Sequence, residues 1–270
     1  MGSETPPRHS ITVMMKANLE NIAIVLNEPH YPENIGAAAR AVKNMGIGRL
    51  VVVNPVDCDL TRVLKMATHT AEDVVLNMEV HASLPHALAP FQYIVGTTAR
   101  TGWSRRTGRD PRKLAVELIP VSQKNRVAVL FGTESRGLSN DDLKYCDVTV
   151  TIPTAAFSSL NLAQAVMVLS YEIFMAGTEE PQTFMPRLAQ RHELEAMYEH
   201  LTKTLARINF INPENPDYWM MGVRRFFSRM RLRARDVRII RGICRQMDWY
   251  CDEKSRHAAA CASGVKKSTL

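Results

Sequence analysis

No apolar run in these 270 residues approaches the ~20 needed to cross a bilayer, so a membrane-spanning helix is not expected. The N-terminus, MGSETPPRHSITVMMKANLE, lacks an apolar core ahead of a small-residue cleavage site. It therefore reads as a flexible lead-in over residues 1–20 rather than a secretory signal. Cysteine is scarce: Cys58, Cys146, Cys244, Cys251 and Cys261 are scattered, form no CxxC pair, and share no zinc-type spacing with the histidines. Reduced thiols, a cytoplasmic location and no metal are the expectations. The chain also holds no GxGxxG, which excludes the dinucleotide fingerprint. A Walker cradle fails as well, because Gly132 and Gly137 have its spacing but Leu138 stands where the lysine must be.

What is present is enough apolar material for a core, at 46% hydrophobic residues, and an uneven charge. Residues 1–186 carry 17 Lys and Arg against 18 Asp and Glu, whereas residues 187–270 carry 17 against 9. A positive excess confined to the last third suggests a polyanionic partner, with a solubilising tail as the simpler alternative.

Short β-branched runs alternate with helical patterns: NIAIVL (21–26), RLVVVNP (49–55), FQYIVGT (91–97), RVAVLFG (126–132) and VTVTIP (148–153), with helical stretches near 59–68 and 83–89. That alternation predicts an α/β domain with a mostly parallel sheet over residues 21–176. Asn34 is a plausible cap of the alanine-rich helix NIGAAARAVKNMG, and a long helix is expected from about Ser159 to Ala176. Residues 177–188, with two prolines and a glycine, read as a linker. Beyond them Leu194, Met197, Leu201, Leu205 and Ile208 recur at helical spacing. Helices are predicted over 189–252, with residues 253–270 a disordered tail.

Ligands of open α/β sheets gather at the carboxyl ends of strands. There the loop FGTESRGLSN (131–140) displays Glu134 and Arg136, which alone could be a solvated turn. Arg40 among alanines carries a guanidinium that needs a partner. Helix capping accounts for one of Ser158 and Ser159, but leaves Asn161 free to present an amide to a ligand.

Taken in order, NIGAAARAVKNMG, VAVLFGTESRGLSN and IPTAAFSSLNLAQAV resemble the three motifs of the SPOUT class of RNA methyltransferases. GTTAR (96–100) further resembles the Gly-Thr-Ser-Ala-Arg of the TrmJ branch, and VRRFFSR and IIRGI are similar to its C-terminal helices. The resemblance implies a deep trefoil knot at the end of the sheet, which pattern reasoning alone does not give. It implies S-adenosylmethionine as methyl donor, held by Thr97, Thr98, Ala99, Gly132, Ile152, Ser159, Leu160 and Asn161. It implies a homodimer with the active site at the subunit interface, and transfer to a ribose 2′-hydroxyl of tRNA at position 32 of the anticodon loop.

By the same resemblance Asn34, Arg40, Glu134, Ser159 and Asn161 form the catalytic set. Arginine, with a pKa above ~12, is a poor base, so Arg40 is expected to position phosphate and ribose, with Glu134 orienting Arg40 or the hydroxyl. RNA contacts are expected from Arg40, from Arg100, Arg105 and Arg106 beside Trp103, and from Arg224, Arg225 and Arg229. The last three open a stretch (224–245) with nine arginines and one acid, in which Phe226, Phe227 and Met230 are expected to pack while the arginines face outward. Ribosomal RNA as substrate, or RNA binding without catalysis, are the alternatives.

Overall fold

The computed structural model describes residues 15–99, 109–155, 159–178 and 186–264. Its strands are β1 (Met15–Lys16), β2 (Ile22–Asn27), β3 (Arg49–Val53), β4 (Glu79–His81), β5 (Tyr93–Thr97), β6 (Val127–Phe131), β7 (Val148–Val150) and β8 (Gly177–Thr178). Among them run α1 (Pro32–Asn44), α2 (Leu60–Ala67), α3 (Glu72–Leu76), α4 (Leu84–Leu88), α5 (Pro111–Ser122), α6 (Asn140–Leu143) and α7 (Leu162–Met175). Three helices follow: α8 (Arg191–Arg207), α9 (Pro216–Ser228) and α10 (Ala234–Gly264).

Six strands form one parallel sheet in the order β4-β3-β2-β6-β5-β7. β2 and β6 are buried along their whole length, as the apolar runs 22–26 and 127–131 require when both faces are covered, with Asn27 a buried polar end to β2. Alternate residues serve opposite faces. Ile22, Ile24 and Leu26 pack with α1, α5 and α7, whereas Ala23 and Val25 pack with Leu84, Leu88 and Phe91 around α4. The alanines of α1 are the small side of this packing: Ala38, Ala39 and Ala41 are all buried. None of the described helices is long and apolar enough to cross a membrane.

The ends of the chain depart from expectation. Residues 15–20 belong to the fold rather than to a flexible lead-in. β1 pairs antiparallel with β8, Asn18 N–H donates to Ser122 Oγ at 2.9 Å, and Gln123 Nε2 donates to the Lys16 carbonyl. The 177–188 linker also contributes structure, because Leu188 is buried and its N–H donates to Asn125 Oδ1 at 2.8 Å. Helix α10 continues to Gly264 where a disordered tail is expected from 253. Alanine-rich sequence is the strongest helix former, and the Arg256–Glu253 pair adds i,i+3 support.

The C-terminal helices enclose their own core of Leu194, Met197, Tyr198, Leu201, Ile211, Met220, Leu232 and Val237. They dock at the amino ends of the sheet strands: Arg191 N–H donates to the Phe91 carbonyl, and Ala189 N–H to that of Leu232. Here Arg191 is buried and its guanidinium meets Asp147 Oδ2 at 2.6 Å. Burial alone would lower Arg191, but the Asp147 carboxylate raises it overall, so it stays charged.

Candidate active site

At the opposite, carboxyl end of the sheet, the loops after β5, β6 and β7 enclose a crevice of about 420 Å3. Thr97, Thr98, Ala99, Gly132, Ile152, Ser159 and Leu160, all expected around a cofactor, line it together. Asn161 stands beside the crevice as the N-cap of α7. The walls are held by short bonds: Thr97 Oγ1 donates to the Leu130 carbonyl at 3.0 Å, and Thr98 N–H to that of Val150 at 3.0 Å.

The β6 loop folds back on itself. Gly137 N–H donates to the Thr133 carbonyl at 2.9 Å, with Gly137 at φ +67°. A Cβ on Gly132 would lie 2.1 Å from the Gly137 carbonyl carbon. Gly132 is therefore required by its own loop, whose returning backbone occupies the space a side chain would take.

Above the crevice three loops meet through one chain of hydrogen bonds. Asn161 Oδ1 accepts from the N–H groups of Ala163 and Gln164 at 2.9 and 3.3 Å. Asn161 Nδ2 donates to Asn34 Oδ1 at 2.9 Å, and Asn34 Nδ2 donates to Glu134 Oε1 at 2.8 Å. The carboxylate also takes the His30 N–H at 3.0 Å through Oε2. The direction of the chain is fixed, because an ionised carboxylate only accepts and each amide must then turn its oxygen to the next donor.

This arrangement differs from expectation in four respects. Helix α7 begins at Leu162 rather than Ser159, and its cap is Asn161 rather than a serine, so the Asn161 oxygen is taken up by the helix. Helix α1 begins at Pro32 with Tyr31 as N-cap, so Asn34 lies inside the first turn with its amide released from capping. Glu134 holds Asn34 and the His30 backbone, and does not orient Arg40. Arg40 is six residues beyond Asn34, which turns it about 120° away around the helix and ~9 Å along it. It is exposed and has no hydrogen bond or ion pair among the described residues. One chain thus brings together Asn34, Glu134 and Asn161, with Ser159 in the crevice wall, and leaves Arg40 apart.

His30, through its backbone N–H, is a member of the site that sequence reasoning missed. Nothing in the side-chain pattern signals a backbone donor. Of the expected RNA contacts, Arg100, Arg105, Arg106 and Trp103 lie outside the described residues. Arg224 faces inward: its two terminal nitrogens grip Glu195 at 2.9 and 2.6 Å, and its guanidinium lies 4.3 Å over the Tyr198 ring. A bidentate acidic partner next to an aromatic face competes successfully with solvent exposure. Arg225 and Arg229 stay at the surface, while Phe226 and Met230 are exposed and Phe227 packs against the helical core.

Comparison with known proteins agrees with this architecture. The model of the SpoU rRNA Methylase family matches residues 21–171, and that of the tRNA methyltransferase TrmJ C-terminal domain matches residues 192–259. The tRNA (cytidine/uridine-2′-O-)-methyltransferase TrmJ of Klebsiella pneumoniae is 36% identical over 233 residues, covering 83% of this chain and 95% of its own. That of Pectobacterium atrosepticum is 36% identical over 241 residues, covering 87% and 100%. Among solved structures, TrmJ from Z. mobilis superposes with a TM-score of 0.72 at 29% identity, over 84% of this chain and 98% of that one. A putative methylase family protein from Neisseria gonorrhoeae gives 0.61 at 31% identity, over 73% and 99%.

Proposed function

The chain belongs to the SpoU methylase family, within its TrmJ branch, and from that premise we propose that it methylates a ribose 2′-hydroxyl of tRNA with S-adenosylmethionine. The observation that carries this reading is the Asn161–Asn34–Glu134 chain, which places a fixed carboxylate beside a crevice of about 420 Å3. That volume lies in the usual range for small-molecule sites, about 300–1,000 Å3. The wall chemistry fits the donor: the hydroxyls of Thr97, Thr98 and Ser159 together with exposed loop backbone suit its polar ends, and Ile152 and Leu160 its apolar faces.

When bound, S-adenosylmethionine supplies an already activated methyl group. The protein's part is alignment of the hydroxyl and management of its proton. Glu134, held by two donors, receives the hydrogen bond of the 2′-hydroxyl. Asn34 and Asn161 keep that carboxylate in register with the first turn of α7 and the Ser159 wall. Arg40, permanently charged, positions the nucleotide phosphate.

Because one chain leaves Arg40 apart from Glu134, the reading includes a homodimer in which Arg40 acts at the crevice of a second copy. The outward residues Val168, Tyr171, Phe174 and Met175 of α7 give such a pair an apolar surface. The reading also includes a trefoil knot, supported by the insertion of β6 between β2 and β5, both earlier in the chain. Residues 21–176 form the methyltransferase unit and 189–252 the tRNA-docking unit, with nucleotide 32 as target.

The test is incubation of total RNA with labelled S-adenosylmethionine, followed by mapping of the label. Label at the ribose of tRNA nucleotide 32 is the expected result. Label in ribosomal RNA would move the substrate class. No label, together with no binding heat from S-adenosylmethionine, would leave only an RNA-binding role.

A further inference from the structure

A cavity of about 830 Å3, distinct from the crevice, lies where the helical unit meets the amino ends of β5 and β7. Tyr93, Arg109 and Asp147 line it from the sheet side, and Arg225, Arg229 and Arg231 from the loop joining α9 to α10 and the end of α9. Four arginines thus line the cavity beside a single lining carboxylate, and Asp147 is already engaged by Arg191 at 2.6 Å. Arg109 is tied to Glu117 at 2.7 Å, Arg231 lies 5.7 Å over the Tyr93 ring, and Arg229 has no side-chain partner among the described residues.

Tyr93 is the informative member. It is 2% exposed, and its hydroxyl is buried with no hydrogen-bond partner. Such a group is costly unless something accepts from it. Burial pushes the phenol up to about 12, so it remains a donor at neutral pH. A cavity rich in donors and poor in acceptors selects an oxyanion with several lone pairs, and guanidinium forks match phosphate oxygens. The apolar faces of Tyr198 and Phe227 on the same wall suit an attached sugar rather than a bare ion.

We propose that this inter-unit cleft binds a phosphodiester of the substrate tRNA, with Tyr93, Arg229 and Arg231 as donors. The proposal rests on the tRNA reading above. The cleft sits at the opposite end of the strands from the methyl-donor crevice, a separation of roughly 17 Å for five residues. It therefore grips the RNA away from the nucleotide being methylated. Because donors come from both units, a bound phosphate also joins the helical unit to the sheet.

Tyr93→Phe and Arg229→Ala in the full-length protein test this. Tyr93→Phe removes an unpartnered hydroxyl, so without RNA it melts no lower than the parent, yet it binds tRNA roughly three- to tenfold more weakly. Arg229→Ala weakens tRNA binding similarly and reduces the slope of log K against log salt by roughly 0.7–0.9. Calorimetry with S-adenosylmethionine gives the parent affinity in both. Unchanged tRNA affinity and salt slope in both variants would overturn the proposal. So would inorganic phosphate raising the melting temperature of the parent but not of Tyr93→Phe while tRNA affinity stays equal, since the cleft would then serve free anions. Weakened tRNA binding in the variants of a protein that transfers no methyl group would uphold the cleft and reject the methylation reading.

Discussion

Asn34 Nδ2 donates to Glu134 Oε1 at 2.8 Å, joining the first turn of α1 to the β6 loop across 100 residues of sequence. Asn34 Oδ1 is in turn held by Asn161, the N-cap of α7, at 2.9 Å. One amide therefore ties together the three loops that carry the site. Each bond is ordinary, but their shared polarity means that none can reverse alone.

Glu134→Gln and Asn34→Asp should separate charge from position. Gln keeps the size of Glu134 but must turn an N–H toward the donors of His30 or Asn34, leaving one unpaired. Methyl transfer is expected to fall roughly 10²-fold with S-adenosylmethionine affinity little changed. Asn34→Asp places two carboxyl groups within hydrogen-bond reach, so they must share a proton and one pKa rises. Its residual activity should recover toward acid pH, where the shared proton is held, and fade as pH rises and both ionise. A pH–rate profile of this variant parallel to the parent would contradict the shared cluster.

Arg40→Ala should abolish methyl transfer while cofactor binding survives. Arg40 is exposed and has no hydrogen bond or ion pair among the described residues, so the change should alter stability by less than about 0.5 kcal/mol. Calorimetry and a thermal melt beside the transfer assay check this. Loss of S-adenosylmethionine binding would place Arg40 in the wrong part of the site.

The parallel sheet was legible because the runs of β2 and β6 are apolar up to Asn27 and Gly132. Ser159, Asn161 and Glu134 were legible only through motif order. The donor of His30 was not, since a backbone N–H has no residue type. The inward turn of Arg224 was hidden for a related reason: composition shows a row of arginines, but only the fold shows that Glu195 and Tyr198 lie one helix away. The helix over 253–264 was not legible because an alanine-rich sequence suits disorder and helix alike, and only the fold shows α10 running on to Gly264.

Gly132→Ala and Gly137→Ala should have unequal effects although they flank the same loop. A Cβ at 132 meets backbone at 2.1 and 2.3 Å, which no side-chain rotation relieves, so the loop must open. A loss of about 1–3 kcal/mol and at least tenfold weaker S-adenosylmethionine binding are expected. A Cβ at 137 meets nothing within 4 Å and faces only the φ of +67°. That strain costs about 1–2 kcal/mol with the crevice intact. Equal loss of cofactor affinity in the two variants would contradict the folded-back loop.

Asp147→Asn should be the most damaging single change at the junction of the two units. Asp147 Oδ2 accepts from Arg191 at 2.6 Å and from the Ile94 N–H at 2.8 Å, with side-chain exposures of 14% for Asp147 and 5% for Arg191. Removing the negative charge strands a buried guanidinium, a loss of about 3–5 kcal/mol when no new partner is found. Pairing Asp147→Asn with Arg191→Met removes both charges and should restore part of that stability, because the penalty is the uncompensated charge rather than the missing attraction. Urea unfolding of the parent, both single variants and the double variant measures this coupling. The double variant should be more stable than Asp147→Asn alone. If instead it is as unstable as the two single losses added, Arg191 and Asp147 act separately and something other than their ion pair holds the helical unit to the sheet.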